Sequence, residues 1–214
     1  MKKLLALVVV FAAGLGLFFA FRSGRSYANF PPAAGKTWVA FGDSLTSGYG
    51  ASEGNDYPTL LGKRLGFPIL RFATPGATSQ DALGRVGDVL LANPKVVLLC
   101  LGGNDTLNGV PHGRTFQNLG QVIDQLHQAG AFVVLIGIRS ASVRDKYRSE
   151  FKRLAKEKRV LLVPNILGDV LGNPGLMSDY VHPNDQGYAL IAERLEKVLI
   201  PLLPQLTAGD SPSN

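Results

Sequence analysis

Ser44 closes an apolar run, Trp38-Val39-Ala40-Phe41, and follows Gly42-Asp43 directly. A serine so placed stands on a turn between a strand and the next element, where its hydroxyl can meet a substrate. The hydroxyl is a weak nucleophile until a neighbouring base takes its proton. His182 is the candidate base, since imidazole changes charge near neutral pH. Asp179 precedes it in Asp179-x-x-His182, close enough for its carboxylate to hold one ring nitrogen and leave the other facing Ser44. Attack on a carbonyl also needs donors for the developing negative charge. The candidates are the backbone N–H of Ser44, the backbone N–H of Gly76 and the side-chain amide of Asn104 in Gly102-Gly103-Asn104-Asp105. Together these residues describe acyl transfer through a serine.

Taken singly, each has a plainer reading. Gly-Asp-Ser after a strand is often a turn and nothing more. Gly-Gly-Asn-Asp is glycine and Asx turn chemistry. His182, before Pro183-Asn184, could serve to cap the last helix. The chemical reading rests on what positions them. Apolar runs rich in Val, Ile, Leu and Phe predict strands over Thr37–Phe41, Ile69–Ala73, Val96–Leu101, Phe132–Ile136 and Val160–Val163. They lack polar alternation, as strands buried on both faces do. Helical periodicity predicts helices over Tyr57–Leu65, Ser79–Ala92, Thr115–Gly130, Val143–Lys158 and Pro183–Leu199, with Pro183 at a first helical position. Alternating strand and helix implies a three-layer α/β/α domain on a five-stranded parallel sheet. Ligands of such sheets sit beyond the carboxyl ends of the strands. Those ends are Gly42-Asp43-Ser44, Thr74-Pro75-Gly76-Ala77, Gly102 to Asp105, Gly137-Ile138-Arg139-Ser140, and the stretch leading to Asp179 and His182. Nucleophile, donors, acid and base therefore converge on one edge.

Composition removes other classes. The net charge of +6 is concentrated at the start: Lys2, Lys3, Arg22 and Arg25 fall in residues 1–30, which hold no acid, leaving +2 for the remainder. With no basic stripe interleaved with aromatics, nucleic-acid binding is not expected. Cys100 is the single cysteine, so no disulfide forms within the chain and a zinc-cysteine cluster is excluded. Its place in Val96–Leu101 is that of a small buried hydrophobe. Three scattered histidines make no metal site. His127 belongs to a helix flank, and His112, in a loop after Asp105, is at most a groove contact.

Residues 4–21 form an uncharged run of 18 residues. As a helix it would span about 27 Å, close to the hydrocarbon thickness of a bilayer. It fits a cleaved secretory signal or an uncleaved membrane anchor. Its length, and the lack of a small-x-small site directly after it, favour the anchor. Either reading places the following domain outside the cytoplasm. Residues 22–36, with Pro31-Pro32 and Gly35, read as a linker; 37–206 as the catalytic domain; 207–214 as a loose tail.

At these residues the chain resembles the SGNH, or GDSL-type, hydrolases. Gly42-Asp43-Ser44-Leu45 matches the first block of that family, Gly76 the second, Gly102-Gly103-Asn104-Asp105 the third and Asp179-x-x-His182 the last. Thr78-Ser79-Gln80 and His182-Pro183-Asn184 are similar to its bacterial thioesterase, lysophospholipase and arylesterase branch. The resemblance implies a flavodoxin-like sheet, a Ser44–His182–Asp179 triad, and an oxyanion hole from Ser44, Gly76 and Asn104. It implies hydrolysis of acyl esters or thioesters without metal or organic cofactor. Two features depart from the pattern: Tyr180-Val181 stand where many members have a Gly-x pair, and the opening apolar run would tie the enzyme to a membrane. The expected substrate is a small or lipid-like ester. The alternatives are a carbohydrate or cell-envelope O-deacetylase, and a membrane-anchored binding domain with a vestigial site. Three modest loops, 104–114, 138–147 and 164–178, predict an open groove.

Overall fold

Five apolar runs pair into one parallel sheet: β1 (Thr37–Gly42), β2 (Ile69–Ala73), β3 (Pro94–Cys100), β4 (Phe132–Ile136) and β5 (Leu161–Val163). The computed structural model describes residues 26–138 and 146–209. The spatial order is β2-β1-β3-β4-β5. The chain steps outward from β1 to β2, then returns to the other side of β1 for β3. That reversal opens a crevice between the carboxyl ends of β1 and β3, the usual ligand position in such sheets. Gly42 is in register with Cys100, and Cys100 with Ile136, so the strand ends form one level edge.

Successive side chains of a strand point to opposite faces, and the core divides accordingly. Trp38, Ala40, Val96, Leu98 and Cys100 face α2 (Tyr57–Leu65) and α7 (Asp185–Leu199), which contribute Tyr57, Leu61, Tyr188, Ile191 and Leu195. Val39, Phe41, Val97 and Leu99 face α3 (Ser79–Leu91), α5 (His112–Gln128) and α6 (Lys146–Lys158), which contribute Val86, Val89, Leu119, Ile123, Phe151 and Leu154. Each such side chain stabilises the fold by about 1.5–3 kcal/mol when fully buried. Two short helices, α1 (Ser44–Ser47) and α4 (Gly103–Leu107), follow β1 and β3, and α8 (Leu203–Leu206) closes the described chain.

Three expectations are corrected. β2 is an edge strand, with Leu70 and Arg71 exposed, so burial on both faces holds for β1, β3 and β4 but not for it. The Arg71 guanidinium reaches the largely buried Asp56 carboxylate at 2.6 Å. Pro183 is not the first helical residue: Asn184 is the N-cap, accepting from the Gly187 N–H at 3.1 Å, and Pro183 pairs with Met177 in an isolated antiparallel bridge. The helix expected from Thr115 begins one turn earlier, at His112, where Pro111 supplies a ready φ of −56° at the cap.

Residues 26–36 have almost no regular structure yet pack on the domain. The Ala28 N–H donates to the Arg159 carbonyl at 2.8 Å, and the Asn29 amide donates to the carbonyls of His127 and Ala131. Tyr27, Phe30 and Phe132 pack ring against ring. The apolar run 4–21, Arg139-Ser140 and the end of the tail lie outside the described residues. Among the described residues no helix is long and apolar enough to cross a membrane.

Candidate active site

β1 must end at a residue without a side chain. A Cβ on Gly42 would stand 2.6 Å from the Cys100 carbonyl oxygen and overlap Thr46. Asp43 then caps α1, accepting the Leu45 N–H at 3.0 Å, and Ser44 is the first helical residue. Its N–H therefore has no intrahelical acceptor. The Thr46 and Tyr57 hydroxyls, 2.9 Å apart and buried, fix this short helix from beneath.

His182 Nε2 lies 2.9 Å from Ser44 Oγ, and His182 Nδ1 lies 2.7 Å from Asp179 Oδ2. An ionised carboxylate only accepts, so Nδ1 carries the proton and Nε2 presents its lone pair to the serine hydroxyl. The other Asp179 oxygen accepts the N–H groups of Val181, at 2.8 Å, and His182, at 2.7 Å. These bonds, the Val181 N–H first and the imidazole next, hold the Asp179 carboxyl down at about 2. Tyr180-Val181 thus suits the loop: Val181 supplies a donor, while the Tyr180 side chain, 98% exposed, leaves the site clear. Ser178 donates from backbone and side chain to the His182 carbonyl, and the Tyr49 ring lies 4.6 Å from the imidazole, centroid to centroid.

Asn104 reaches the same edge from α4. The left-handed turn at Gly102, φ 112°, starts that helix. Asn104 Nδ2 donates to the Ala77 carbonyl at 2.9 Å and to Asp43 Oδ2 at 3.3 Å. Gly76, at φ 80° with open space beside it, lies one residue from that carbonyl and is not part of the cleft wall. The cleft has a volume of about 250 Å³. Beyond Ser44, Asn104 and His182, its walls are largely apolar: Leu107, Ile138, Tyr147, Leu167, Leu171 and Val181. All three loops expected to border the groove contribute.

Sequence reasoning passed over several supports. Asp105 is fully buried and accepts the Ser79 N–H at 2.8 Å and the Ser79 hydroxyl at 2.5 Å, while Asn118 donates to Ser79 Oγ. This ties the start of α3, and with it the Gly76–Ala77 turn, to the helix that carries Asn104. The adjacency of Asp105 to Asn104 was the available signal. Tyr49 and the leucines carried none. His112 packs edge-on against Tyr147 at 4.7 Å, behind the cleft wall, and does not line the cleft. Cys100 is buried, which pushes its thiol well above the ordinary range and out of nucleophilic chemistry.

Asp43 is the second unforeseen feature. It is 2% exposed, and burial raises its carboxyl from 3.8 to about 6. The folded state therefore holds this proton more tightly than the unfolded chain. Stability falls as pH rises from about 4 to 6, by roughly 3 kcal/mol across the two units. Asp43→Asn keeps the acceptor for Leu45 and removes the buried charge. It is expected to flatten that slope and to raise stability at pH 8 by about 2 kcal/mol. Turnover should fall, because the new amide sets a donor against Asn104 Nδ2. Urea denaturation at pH 4, 6 and 8 checks this; identical slopes for both proteins would show that Asp43 does not drive the pH dependence.

Residues 40–190 match the profile of the GDSL-like Lipase/Acylhydrolase family. The chain is 34% identical over 184 residues to the "Thioesterase 1/protease 1/lysophospholipase L1" of Escherichia coli, covering 82% of this chain and 88% of that protein. It is 31% identical to the "Esterase TesA" of Pseudomonas aeruginosa, covering 80% and 91% respectively. The crystal structure of TesA superposes with a TM-score of 0.73 at 28% identity, over 78% of this chain and 99% of that one.

Proposed function

The chain belongs to the GDSL-like lipase/acylhydrolase family and is an ester hydrolase, and on that premise we propose that it cleaves acyl esters and thioesters through a Ser44–His182–Asp179 triad. The carrying observation is the unbroken relay at the mouth of an apolar cleft, 2.9 Å from serine to imidazole and 2.7 Å from imidazole to carboxylate. Ser44 Oγ attacks the acyl carbonyl as Nε2 takes its proton. The Asp179 carboxylate stabilises the imidazolium, which then protonates the departing alcohol or thiol. An acyl-enzyme remains on Ser44. Water, deprotonated by the same nitrogen, releases the acid and restores the serine.

The oxyanion is received by the Ser44 N–H and Asn104 Nδ2, which line the cleft, with the Gly76 N–H, on the turn just beyond its wall, as the third donor if that turn closes on the substrate. In the resting site both Asn104 N–H bonds are taken, one by Ala77 at 2.9 Å and one by Asp43 at 3.3 Å. The longer bond is the weaker, and it is the one exchanged for the oxyanion. The apolar walls favour an acyl chain over a sugar, which would need more polar groups than this cleft offers. The relative named a thioesterase and lysophospholipase supports the same class.

A panel of p-nitrophenyl esters and acyl thioesters of graded chain length tests the reading. The wild type should hydrolyse both, with kcat/KM rising as the chain fills the cleft. Asn104→Ala should lower kcat by about 10²–10³-fold with little change in KM, the usual cost of one oxyanion donor. Absence of hydrolysis across the panel would refute the function, and an unchanged kcat would remove Asn104 from the oxyanion site.

A further inference from the structure

A groove of about 700 Å³ lies away from Ser44, between α6, β5 and the incoming chain. Its rim carries Lys152, Lys156 and Arg159, its floor Ala155, Val160 and Leu162, and Ser26 and Tyr27 close one side. The three cations recur at i, i+4 and i+7, which puts them on one face of α6 and its C-terminal end. Their neighbours on that helix are neutralised: Arg153 pairs with Glu150 and Glu157, and Lys158 with Asp124. Among the described residues, Lys152, Lys156 and Arg159 pair with no carboxylate. A cationic rim over an apolar floor, with a tyrosine at its side, suits a headgroup phosphate above the first carbons of a lipid.

The sequence sets how far this groove can stand from a bilayer. The uncharged run ends at Phe21, and the chain is fixed to the domain where the Ala28 N–H meets the Arg159 carbonyl. Residues 22–25 bridge Phe21 and Ser26, and at about 3.4 Å per residue they span at most about 17 Å. Two of them, Arg22 and Arg25, are basic. If residues 4–21 enter a membrane, the groove is held beside its surface.

We propose that the Lys152–Lys156–Arg159 groove docks on anionic phospholipid headgroups of the bilayer that residues 4–21 enter, laying the α6 edge of the enzyme against the membrane. Tyr147, a wall of the catalytic cleft, lies five residues before Lys152 on the same helix, about 7.5 Å along its axis.

The test uses the full chain in nanodiscs of phosphatidylcholine, with or without phosphatidylglycerol. Ser149→Cys, on the same face of α6, carries a fluorophore; native Cys100 is buried and stays unlabelled. Spin-labelled headgroups should quench the probe in discs with phosphatidylglycerol. Quenching should fade in phosphatidylcholine alone and at molar salt, where the Debye length is about 3 Å. Neutralising the rim with Lys152→Gln, Lys156→Gln and Arg159→Gln should lower the docking constant by on the order of 100-fold, at about fivefold per cation. Hydrolysis of a soluble p-nitrophenyl ester should be unchanged in that variant, which checks its fold. Removing the same charge at Lys63, Arg64 and Lys197 should leave quenching intact. Equal quenching in both lipids, a triple variant quenched like the wild type, equal loss in the charge-matched control, or failure of the chain to enter discs would each overturn the proposal. So would polyglutamate or inorganic phosphate perturbing the probe as strongly as the anionic lipid, which would identify a soluble polyanion instead.

Discussion

Ser44→Ala should lower kcat on any ester substrate by on the order of 10⁶-fold, the loss seen when a serine nucleophile is removed from an intact relay. The fold should survive. The serine side chain makes one hydrogen bond, to His182, and its site is only 9% exposed, so alanine leaves a gap no larger than one oxygen. Alanine also suits a helical position. The Asp43 cap and the Thr46–Tyr57 bond beneath α1 do not involve the replaced atom. Stability should change by less than about 1 kcal/mol. Stopped-flow release of p-nitrophenol should show neither burst nor steady state above background. A folded variant retaining turnover within tenfold of wild type would remove Ser44 from the chemistry.

The second large effect is at Asp179. Asp179→Asn places an amide where Oδ2 accepts from His182 Nδ1 at 2.7 Å. An amide nitrogen there can only donate, so the imidazole moves its proton to Nε2 and offers the serine a donor where a base is needed. Loss of kcat by about 10³–10⁴-fold is expected, the scale of a wrong tautomer in such a relay. The shape of the loop is less affected, since the remaining oxygen still accepts from Val181 and His182. The wild-type pH profile bears on the same group. Its folded carboxyl sits near 2, below the ordinary 3.8, so its contribution to stability is fully present above about 4 and disappears as pH falls through 2. Any loss of activity between pH 4 and 7 therefore belongs to another group. A variant with wild-type kcat at pH 8 would show that His182 needs no partner.

Much of this arrangement was legible beforehand because it depends on local chemistry. The strands Ile69–Ala73 and Phe132–Ile136 stand at their expected bounds, since short, largely apolar runs between turn residues have few alternatives. Ser44 and Asn104 lay just beyond strand ends that a parallel sheet must gather on one edge, and His182 lay on the long stretch that leaves the end of β5. What was not legible depends on packing between distant segments. Arg71 is the one local sign that β2 is an edge, and it went unread because Leu70 and Phe72 look as they would in a central strand. Asp43 read as one residue of a Gly-Asp-Ser turn, and nothing in that tripeptide announces that its carboxyl is buried. Pro183 has the right chemistry for a helix start, but its bridge to Met177 and the Asn184 cap displaced it.

Asp179 and His182 share one four-residue stretch, clipped by the Met177–Pro183 bridge and the Ser178 bonds, while Ser44 is set by the middle of the sheet. Two thirds of the relay therefore travel as one piece. Displacing that piece leaves its internal pairing whole and alters a single spacing, the one between imidazole and serine. Selection on such a protein has one mechanical variable to adjust, and surrounding loops can diversify freely provided that spacing is kept.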